Sequence, residues 1–248
     1  VQFKHWKRIQ RERIILPLLA VGVVGTGIPA FMFTIAEQTI NSAMAGMLNA
    51  AVPMMSIFVG LLFFKAEITK RQWVGTLLGL LAVIGLSWGS FQRNNEVLPI
   101  LLIVIATICY AVSLNSIKYK LSHIPSVQIT ALAFLFLIPL ALIGIFYFQI
   151  PETIQTHDNI GLPLLFVFIL GFLGTAIAVV LYAQLVAISG PVFASSVTYL
   201  IPVVATFWGV ADGEQVTIFE VGMMGLIILS VLIINKRLKP LFSKNVTS

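Results

Sequence analysis

Polar and helix-breaking side chains recur inside long apolar stretches of this sequence, and their chemistry is that of binding. Gly46, Asn49 and Pro53 follow one another at i, i+3 and i+7, so a helix would carry them on one face. Proline removes an amide donor and frees a carbonyl for solvent or ligand. A carboxamide within an apolar segment is costly unless it is paired. We therefore expect this face to offer hydrogen bonds to a small molecule.

The same pattern recurs later in the chain, where Ser195, Thr198 and Pro202 keep the spacing and Tyr199 adjoins them. Two further stretches, beginning at Gly22 and Gly171, combine glycine, threonine and aromatic residues in the same way. We predict that these four helices line a cavity. The candidate substrate-binding residues are Thr26, Pro29, Asn49, Pro53, Tyr110, Thr175, Tyr182, Ser195, Thr198, Tyr199 and Pro202.

Helix packing is the competing interpretation of these residues. Small residues let membrane helices approach closely, and Ser, Thr and Asn bond across helices. For a single Gly or Thr, packing is the simpler role, whereas Asn49 suits either role equally. Tyr110 and Tyr182 lie where spans approach the interface, and tyrosine there often anchors to headgroups. Glu67 and Glu214 lie in loops, where helix capping and topology explain them better than ion binding does.

The elements that must position these residues are transmembrane helices. Of the 248 residues, 59% are hydrophobic and only 10% are charged, and the mean hydropathy is +1.03. A soluble domain carries about 25% charged residues, so lipid must be the solvent for most of this chain. A span needs about 20 apolar residues. Eight such runs occur, at 14–36, 42–63, 72–90, 97–117, 126–148, 161–187, 191–211 and 218–235.

The basic residues predict the orientation of these spans. With eight spans, every Lys and Arg except Arg93 falls on one side of the membrane, in the two termini and the second and fourth loops. Cytoplasmic loops collect Lys and Arg. We expect a multi-pass protein of the plasma (inner) membrane with both termini cytoplasmic. Two loops also carry a capping-box pattern, Thr69 with Gln72 and Thr217 with Glu220.

An internal repeat relates the two halves of the chain. Sliding the sequence on itself places the Gly-x-x-Gly-Thr motif that begins at Gly22 on the motif that begins at Gly171, and Pro53 on Pro202. Spans one to three thus correspond to spans six to eight. The repeat unit is five spans long, and an odd number inverts the second copy across the membrane. We predict an all-α integral membrane protein of inverted five-helix repeats, with eight of an expected ten transmembrane helices present.

The predicted boundaries follow from this repeat. Residues 1–92 hold an incomplete first repeat of three helices, 93–240 hold a second repeat of five, and 241–248 form a cytoplasmic tail. The two missing helices would precede Val1, and the chain does not begin with Met, so we expect it to be a piece of a longer protein. Inverted repeats supply two nearly equivalent packings, which open a central site to one side and then to the other.

The motifs of the two copies resemble those of a known family. Glu67-x-Thr69-x-x-Gln72-Trp73-Val74-Gly75 and Gly213-Glu214-x-x-Thr217, with Gly190-Pro191 and Tyr199-Leu200-Ile201-Pro202, are similar to the EamA-type repeat of the drug/metabolite transporter superfamily. The resemblance extends from residue 14 to 238. It implies ten helices, cytoplasmic termini and transport of small organic molecules through a central cavity. The function expected is therefore secondary transport of a small metabolite or drug by alternating access.

Other classes of function fit the sequence less well. A membrane pore and a non-transporting scaffold remain alternatives. An enzyme would need clustered acids, histidines or a nucleophile, and we expect neither catalytic nor metal-binding residues nor a cofactor. The partners expected are the lipid bilayer and a small-molecule substrate, without nucleic acid, and a homo-oligomer is left open. The spans hold no ionisable group at mid-depth, which favours a uniporter or exchanger unless a missing helix carries the coupling residue.

Overall fold

The computed structural model describes residues 14–94, 97–156, 160–190, 193–194 and 200–235. These residues form helices joined by short turns, and no strand occurs among them. We label the helices α1 (Ile15–Ala36), α2 (Ser42–Phe64), α3 (Lys70–Asn94), α4 (Val97–Lys120), α5 (Ser126–Tyr147), α6 (Ile150–Thr156), α7 (Gly161–Ser189), α8 (Leu200–Ala211) and α9 (Ile218–Asn235).

The described helices coincide with the predicted spans, and most of the first part of the predicted span 191–211 lies outside the described residues. Five of these helices, α1, α2, α4, α5 and α7, are long and apolar enough to cross a membrane, and α8 and α9 contain shorter apolar helices. The 25 residues of α3 also exceed the roughly 20 that a span requires. The short helix α6 falls in a predicted loop and was not expected. The chain is an all-α membrane protein, as its composition predicts.

The chain forms two compact units, each of which draws on both predicted repeats. The first unit contains residues 1–31 and 109–194, and the second contains residues 32–108 and 195–248. Within the first unit, α5 packs against the early part of α1 and the last part of α7. Within the second, α3 packs along α9 and the first half of α2 packs against α8. The repeat boundaries at residues 92 and 240 stay a prediction.

Glycine lets several of these helices approach closely. A Cβ atom at Gly22 of α1 would meet the main chain of Ala133 in α5, and one at Gly25 would meet the side chain of Ser113 in α4. In the second unit, a Cβ at Gly46 would lie 2.5 Å from the Cβ of Ala205. The packing role expected for single glycines in membrane helices is thus present at these three positions.

Both predicted capping boxes are formed at helix starts in the second unit. The Thr69 amide donates to Gln72 Oε1 at 2.9 Å, and the Gln72 amide donates to Thr69 Oγ1 at 3.4 Å. The Thr217 amide donates to Glu220 Oε2 at 2.7 Å, and the Glu220 amide donates to Thr217 Oγ1 at 3.3 Å. These reciprocal bonds satisfy amides that a helix start leaves without an intrahelical partner. They fix where α3 and α9 begin.

Candidate functional site

A π-helical segment interrupts α1 and α7 at corresponding points. The segments are Ala20–Gly27 and Leu170–Ile177, and each contains one copy of the Gly-x-x-Gly-Thr motif. π-helical turns are rare and frequently mark functional sites, because the wide turn disturbs the regular backbone hydrogen bonding. The sequence did not predict them. Their recurrence at equivalent positions of the two copies shows that the matched motifs adopt the same local structure.

The threonine of each motif bonds to the backbone of its own wide turn. Thr26 Oγ1 donates to the Val21 carbonyl at 3.2 Å, and Thr175 Oγ1 donates to the Leu170 carbonyl at 3.4 Å, five residues earlier in both cases. Pro29 follows the first segment and is buried, whereas the second segment has an alanine at that position. Proline is therefore not what both copies need to form the turn. The hydroxyl-to-backbone bond is the feature that they share.

The helix α2 breaks near its middle. Its first half ends at Asn49 and its second half begins at Val52. Between them, the amides of Ala50 and Ala51 donate three residues back, at 3.2 and 3.0 Å. Pro53 explains the break, since it has no amide to donate to the carbonyl of Asn49 four residues earlier, and its ring crowds that carbonyl. Discontinuous helices of this kind form binding sites in many transporters.

Asn49 carries an acceptor that is left unpaired beside this break. Its Oδ1 atom is buried and has no hydrogen-bond partner among the described residues. Pro53 is buried in the same helix, and Pro202 is buried in α8. A buried polar atom without a partner costs about 1–3 kcal/mol, and such an atom in a native structure is explained by a functional role or an absent water or ligand. Asn49 is therefore the strongest of the predicted binding residues in the second unit.

Tyr182 offers a comparable group in the first unit. Its hydroxyl oxygen is buried without a hydrogen-bond partner in the part of the chain that the structure describes, and Tyr110 lies within electrostatic reach of it. A buried hydroxyl does not reach lipid headgroups, so the interfacial role considered for Tyr182 fits poorly. Two further buried hydroxyls in the described chain are unpaired, those of Thr76 in α3 and Thr130 in α5. Neither threonine is among the predicted binding residues, although each lies in an apolar run.

The predicted binding residues are divided between the two compact units. The first unit holds Thr26, Pro29, Tyr110, Thr175 and Tyr182, and the second holds Asn49, Pro53 and Pro202. The remaining three, Ser195, Thr198 and Tyr199, lie outside the described residues. A shared role of these residues in one cavity stays a prediction.

Glu214 accepts three hydrogen bonds at the start of α2, whereas the sequence predicted for it only a capping role without naming a partner. Its carboxylate accepts the Ser42 amide at 3.0 Å, the Ser42 hydroxyl at 2.7 Å and the Ala43 amide at 3.2 Å. Asn41 Oδ1 accepts the Met44 amide at 2.9 Å, so the start of α2 is capped twice. A Cβ atom at Gly209 would meet the Glu214 carboxylate, so a larger residue there would push that carboxylate away from Ser42 and Ala43. The capping role expected for Glu214 is confirmed.

The pKa values of two carboxyl groups near this contact are shifted in opposite directions. Burial disfavours the charged form of Glu214, but the hydrogen bonds from Ser42 and Ala43 outweigh it and hold the pKa of Glu214 below its ordinary value. Partial desolvation, with the nearby charge of Glu214, raises the pKa of Glu37. Both residues lie outside the helices in loops on the side predicted to be noncytoplasmic. No group of three or more His, Cys, Asp or Glu that could hold a metal occurs among the described residues.

Comparison with known proteins agrees with this architecture. Residues 1–88 and 97–236 match the EamA-like transporter family. The chain belongs to the EamA-like transporter family. Its resemblance to the EamA-type repeat is thereby confirmed, and this EamA-family protein is a multi-pass membrane transporter. Family membership points to a non-enzymatic role.

Two relatives of this EamA-family protein have transporter names. The "Uncharacterized inner membrane transporter YedA" of Escherichia coli strain K12 is 27% identical over 229 residues, which cover 88% of this chain and 71% of the relative. The "Uncharacterized transporter YdfC" of Bacillus subtilis strain 168 is 26% identical over 117 residues, which cover 46% of this chain and 38% of that protein.

Proposed function

We propose that this EamA-family protein is a secondary transporter that moves a small organic metabolite or drug by alternating access through a central cavity. The observation that carries the proposal is the recurrence of the π-helical turn in α1 and α7, each with a threonine bonded five residues back. Two copies with the same local irregularity favour a transporter built from structural repeats, whose exchange of conformations moves the substrate site from one side to the other.

The polar groups available support a neutral binding surface for an organic molecule. Asn49 and Tyr182 each hold a buried polar atom that has no partner within the described residues. The predicted spans contain no Lys, Arg or Asp, and their one acid, Glu220, lies at the edge of the last span, so what these spans offer a ligand is mainly dipoles and hydrogen bonds. The name of the Escherichia coli relative supports an inner (plasma) membrane location.

The hydrogen bonds accepted by Glu214 are a candidate gate by which this proposal can be tested. Its carboxylate ties the loop after α8 to the start of α2 at the end predicted to be noncytoplasmic. We expect this contact to break when the site opens on that side. Removing the Glu214 carboxylate should therefore shift the population towards the noncytoplasmic-open state.

The experiment measures the accessibility of position 49 from each side of the membrane. Asn49→Cys is placed in a Cys109→Ser background, reconstituted, and labelled by a membrane-impermeant thiol reagent from one side at a time. We expect Glu214→Ala to raise the labelling rate from the noncytoplasmic side and to lower the rate from the cytoplasmic side. Glu152→Ala, which removes an exposed acid in α6, is the matched control and should change neither rate.

The other outcomes contradict the proposal in distinct ways. A pore would be labelled from both sides, and Glu214→Ala would move both rates in the same direction. A scaffold without a cavity would leave position 49 unlabelled from either side. Only reciprocal changes in the two rates are consistent with a carrier.

A further inference from the structure

One face of α1 is covered by another helix within the first compact unit. Leu18 is 0% exposed and Val21 is 2% exposed, and Gly22 beside them is buried as well. The helix α5 packs against this part of α1. A Cβ atom at Gly22 would meet the main chain of Ala133, so the glycine lets the two backbones touch. Small residues at helix contacts in membranes serve this purpose.

The corresponding face of α7 is bare. The offset that places Gly22 on Gly171 places the two covered apolar residues of α1 on Val167 and Leu170. Val167 is 65% exposed and Leu170 is 67% exposed. Within the part of the chain that the structure describes, no atom of another helix lies within 4 Å of a Cβ atom built at Gly171. The two copies thus share this face, and only the copy in α1 is covered.

A lipid-facing role does not explain the bare face of α7. Each copy has a different face that is exposed in both helices, at Leu16 of α1 and at Leu165 of α7, and this shared exposure is what contact with lipid predicts. A glycine that faces lipid weakens its helix without permitting a closer contact. Val167, Leu170 and Gly171 therefore form a helix-packing face whose partner is not among the described residues, and we call them the α7 docking face.

The predicted repeat indicates which helix belongs on the α7 docking face. In the covered copy, α1 of the first repeat contacts α5 of the second repeat. Exchanging the two copies pairs α7 of the second repeat with the first-repeat counterpart of α5. The offset that relates the copies places this counterpart directly before Val1. The repeat therefore gives both the contact of this helix and its position in the polypeptide.

We propose that the α7 docking face binds a transmembrane helix that precedes residue 1 in the natural polypeptide and is the counterpart of α5. The docked helix is apolar and carries a small residue opposite Gly171, as α5 carries Ala133 opposite Gly22. Its main chain approaches α7 at the π-helical turn. The docking depends on the predicted repeat and is independent of the proposed transport function, so the labelling experiment at position 49 does not bear on it.

The test is photocrosslinking from α7 in the protein expressed from its own gene. Leu170→photoleucine, a diazirine analogue of nearly the same size, puts the reactive group on the α7 docking face without added bulk. Leu165→photoleucine is the matched control on the face that is exposed in both copies. Native membranes are irradiated, and the crosslinked peptides are identified by mass spectrometry. We expect position 170 to be joined to an apolar segment N-terminal to residue 1 of the same polypeptide, and position 165 to lipid.

Any other product of the reaction at position 170 would overturn the proposal. Attachment to lipid alone, as at position 165, would make the α7 docking face a lipid-facing surface. A crosslink between two copies of the chain would make it a homodimer contact. A crosslink to a different protein would make it a contact with a partner that the repeat does not specify.

Leucine substitutions test the close approach of the two helices independently. Gly171 and Gly225 of α9 both have nothing within 4 Å of an added Cβ atom in the described chain, and the counterpart of Gly225 in α3 is already a leucine, Leu78. With the preceding helix present, Gly171→Leu should lower the melting temperature by several degrees, because the added side chain keeps the two main chains apart. Gly225→Leu is the matched control and should leave the melting temperature unchanged.

The same Gly171→Leu substitution in residues 1–248 alone should have no such cost, because the α7 docking face is bare there. An equal loss of stability in residues 1–248 would assign Gly171 to the π-helical turn itself and contradict the docking. The absence of any loss when the preceding helix is present would contradict it as well.

Discussion

At the residue scale, Glu214 and Asn49 are polar groups in opposite situations. Glu214 has three hydrogen bonds at a helix start, whereas Asn49 Oδ1 has none within the described residues. The sequence predicted capping for Glu214 because an acid in a loop beside helix ends is favourable. It singled out Asn49 because a carboxamide in an apolar run needs a partner. It did not reveal which amides Glu214 would meet, because Ser42 and Ala43 lie far away in sequence.

The opposite pKa shifts of Glu214 and Glu37 predict that the stability of the fold depends on pH. The pKa of Glu214 is lowered by its hydrogen bonds, so its contribution is complete above the ordinary carboxyl pKa and is lost as the pH falls through the lowered value. The pKa of Glu37 is raised by desolvation and by the charge of Glu214. Ionised Glu37 therefore destabilises the fold at neutral pH, and this penalty is relieved as the pH falls through the raised value.

Two substitutions test these pH dependences, with the free energy of unfolding measured in detergent at several pH values. We expect Glu214→Gln to lower the free energy of unfolding at pH 7 by about 1–2 kcal/mol, through loss of charge-assisted hydrogen bonds. Glu37→Gln should raise the free energy of unfolding at pH 7. It should also abolish the gain in stability that protonation of Glu37 gives on mild acidification. A stabilising Glu214→Gln, or a Glu37→Gln variant that keeps this gain, would contradict the assignment.

At the element scale, helix positions could be predicted and helix irregularities could not. The apolar runs predicted α1 to α5, α7 and α9 to within a few residues, since a span needs a fixed length of apolar sequence. The capping boxes marked where α3 and α9 begin. The π-helical turns at Ala20–Gly27 and Leu170–Ile177 escaped prediction, because widening one turn leaves the apolar composition unchanged.

The two copies of the Gly-x-x-Gly-Thr motif also differ in what packs on them. Gly22 in α1 meets the main chain of Ala133, whereas its counterpart Gly171 in α7 has nothing within 4 Å. We expect Gly22→Ala to cost about 1–3 kcal/mol by overpacking against an immobile backbone. Gly171→Ala should be neutral or stabilising, by up to about 1 kcal/mol, from higher helix propensity.

Thermal unfolding of the two variants in one detergent makes this comparison directly. The pair is internally controlled, because both substitutions add the same methyl group to the same motif. Equal destabilisation of both variants would show that the glycines serve the π-helical turn itself. A loss of stability in Gly22→Ala alone would show that the difference comes from the contact between α1 and α5.

At the scale of the whole molecule, the composition alone decided the class of protein. A chain with 10% charged residues and a mean hydropathy of +1.03 cannot cover its surface for water. The distribution of Lys and Arg predicted which loops face the cytoplasm, but orientation in a bilayer depends on the membrane as well as on the chain. The binding site was predicted only as residues, because the placement of side chains from separate helices depends on tertiary packing, which periodicity does not specify.

If the two repeats cross the membrane in opposite senses, single cysteines at corresponding loops must face opposite sides of it. Glu67→Cys and Gln215→Cys, both at exposed positions, are made in the Cys109→Ser background and treated in intact cells with an impermeant maleimide. We expect Gln215→Cys to be labelled in intact cells and Glu67→Cys only after permeabilisation, with the Cys109→Ser parent unlabelled throughout. Labelling of both positions from the same side would contradict the inverted repeat and the transport mechanism built on it.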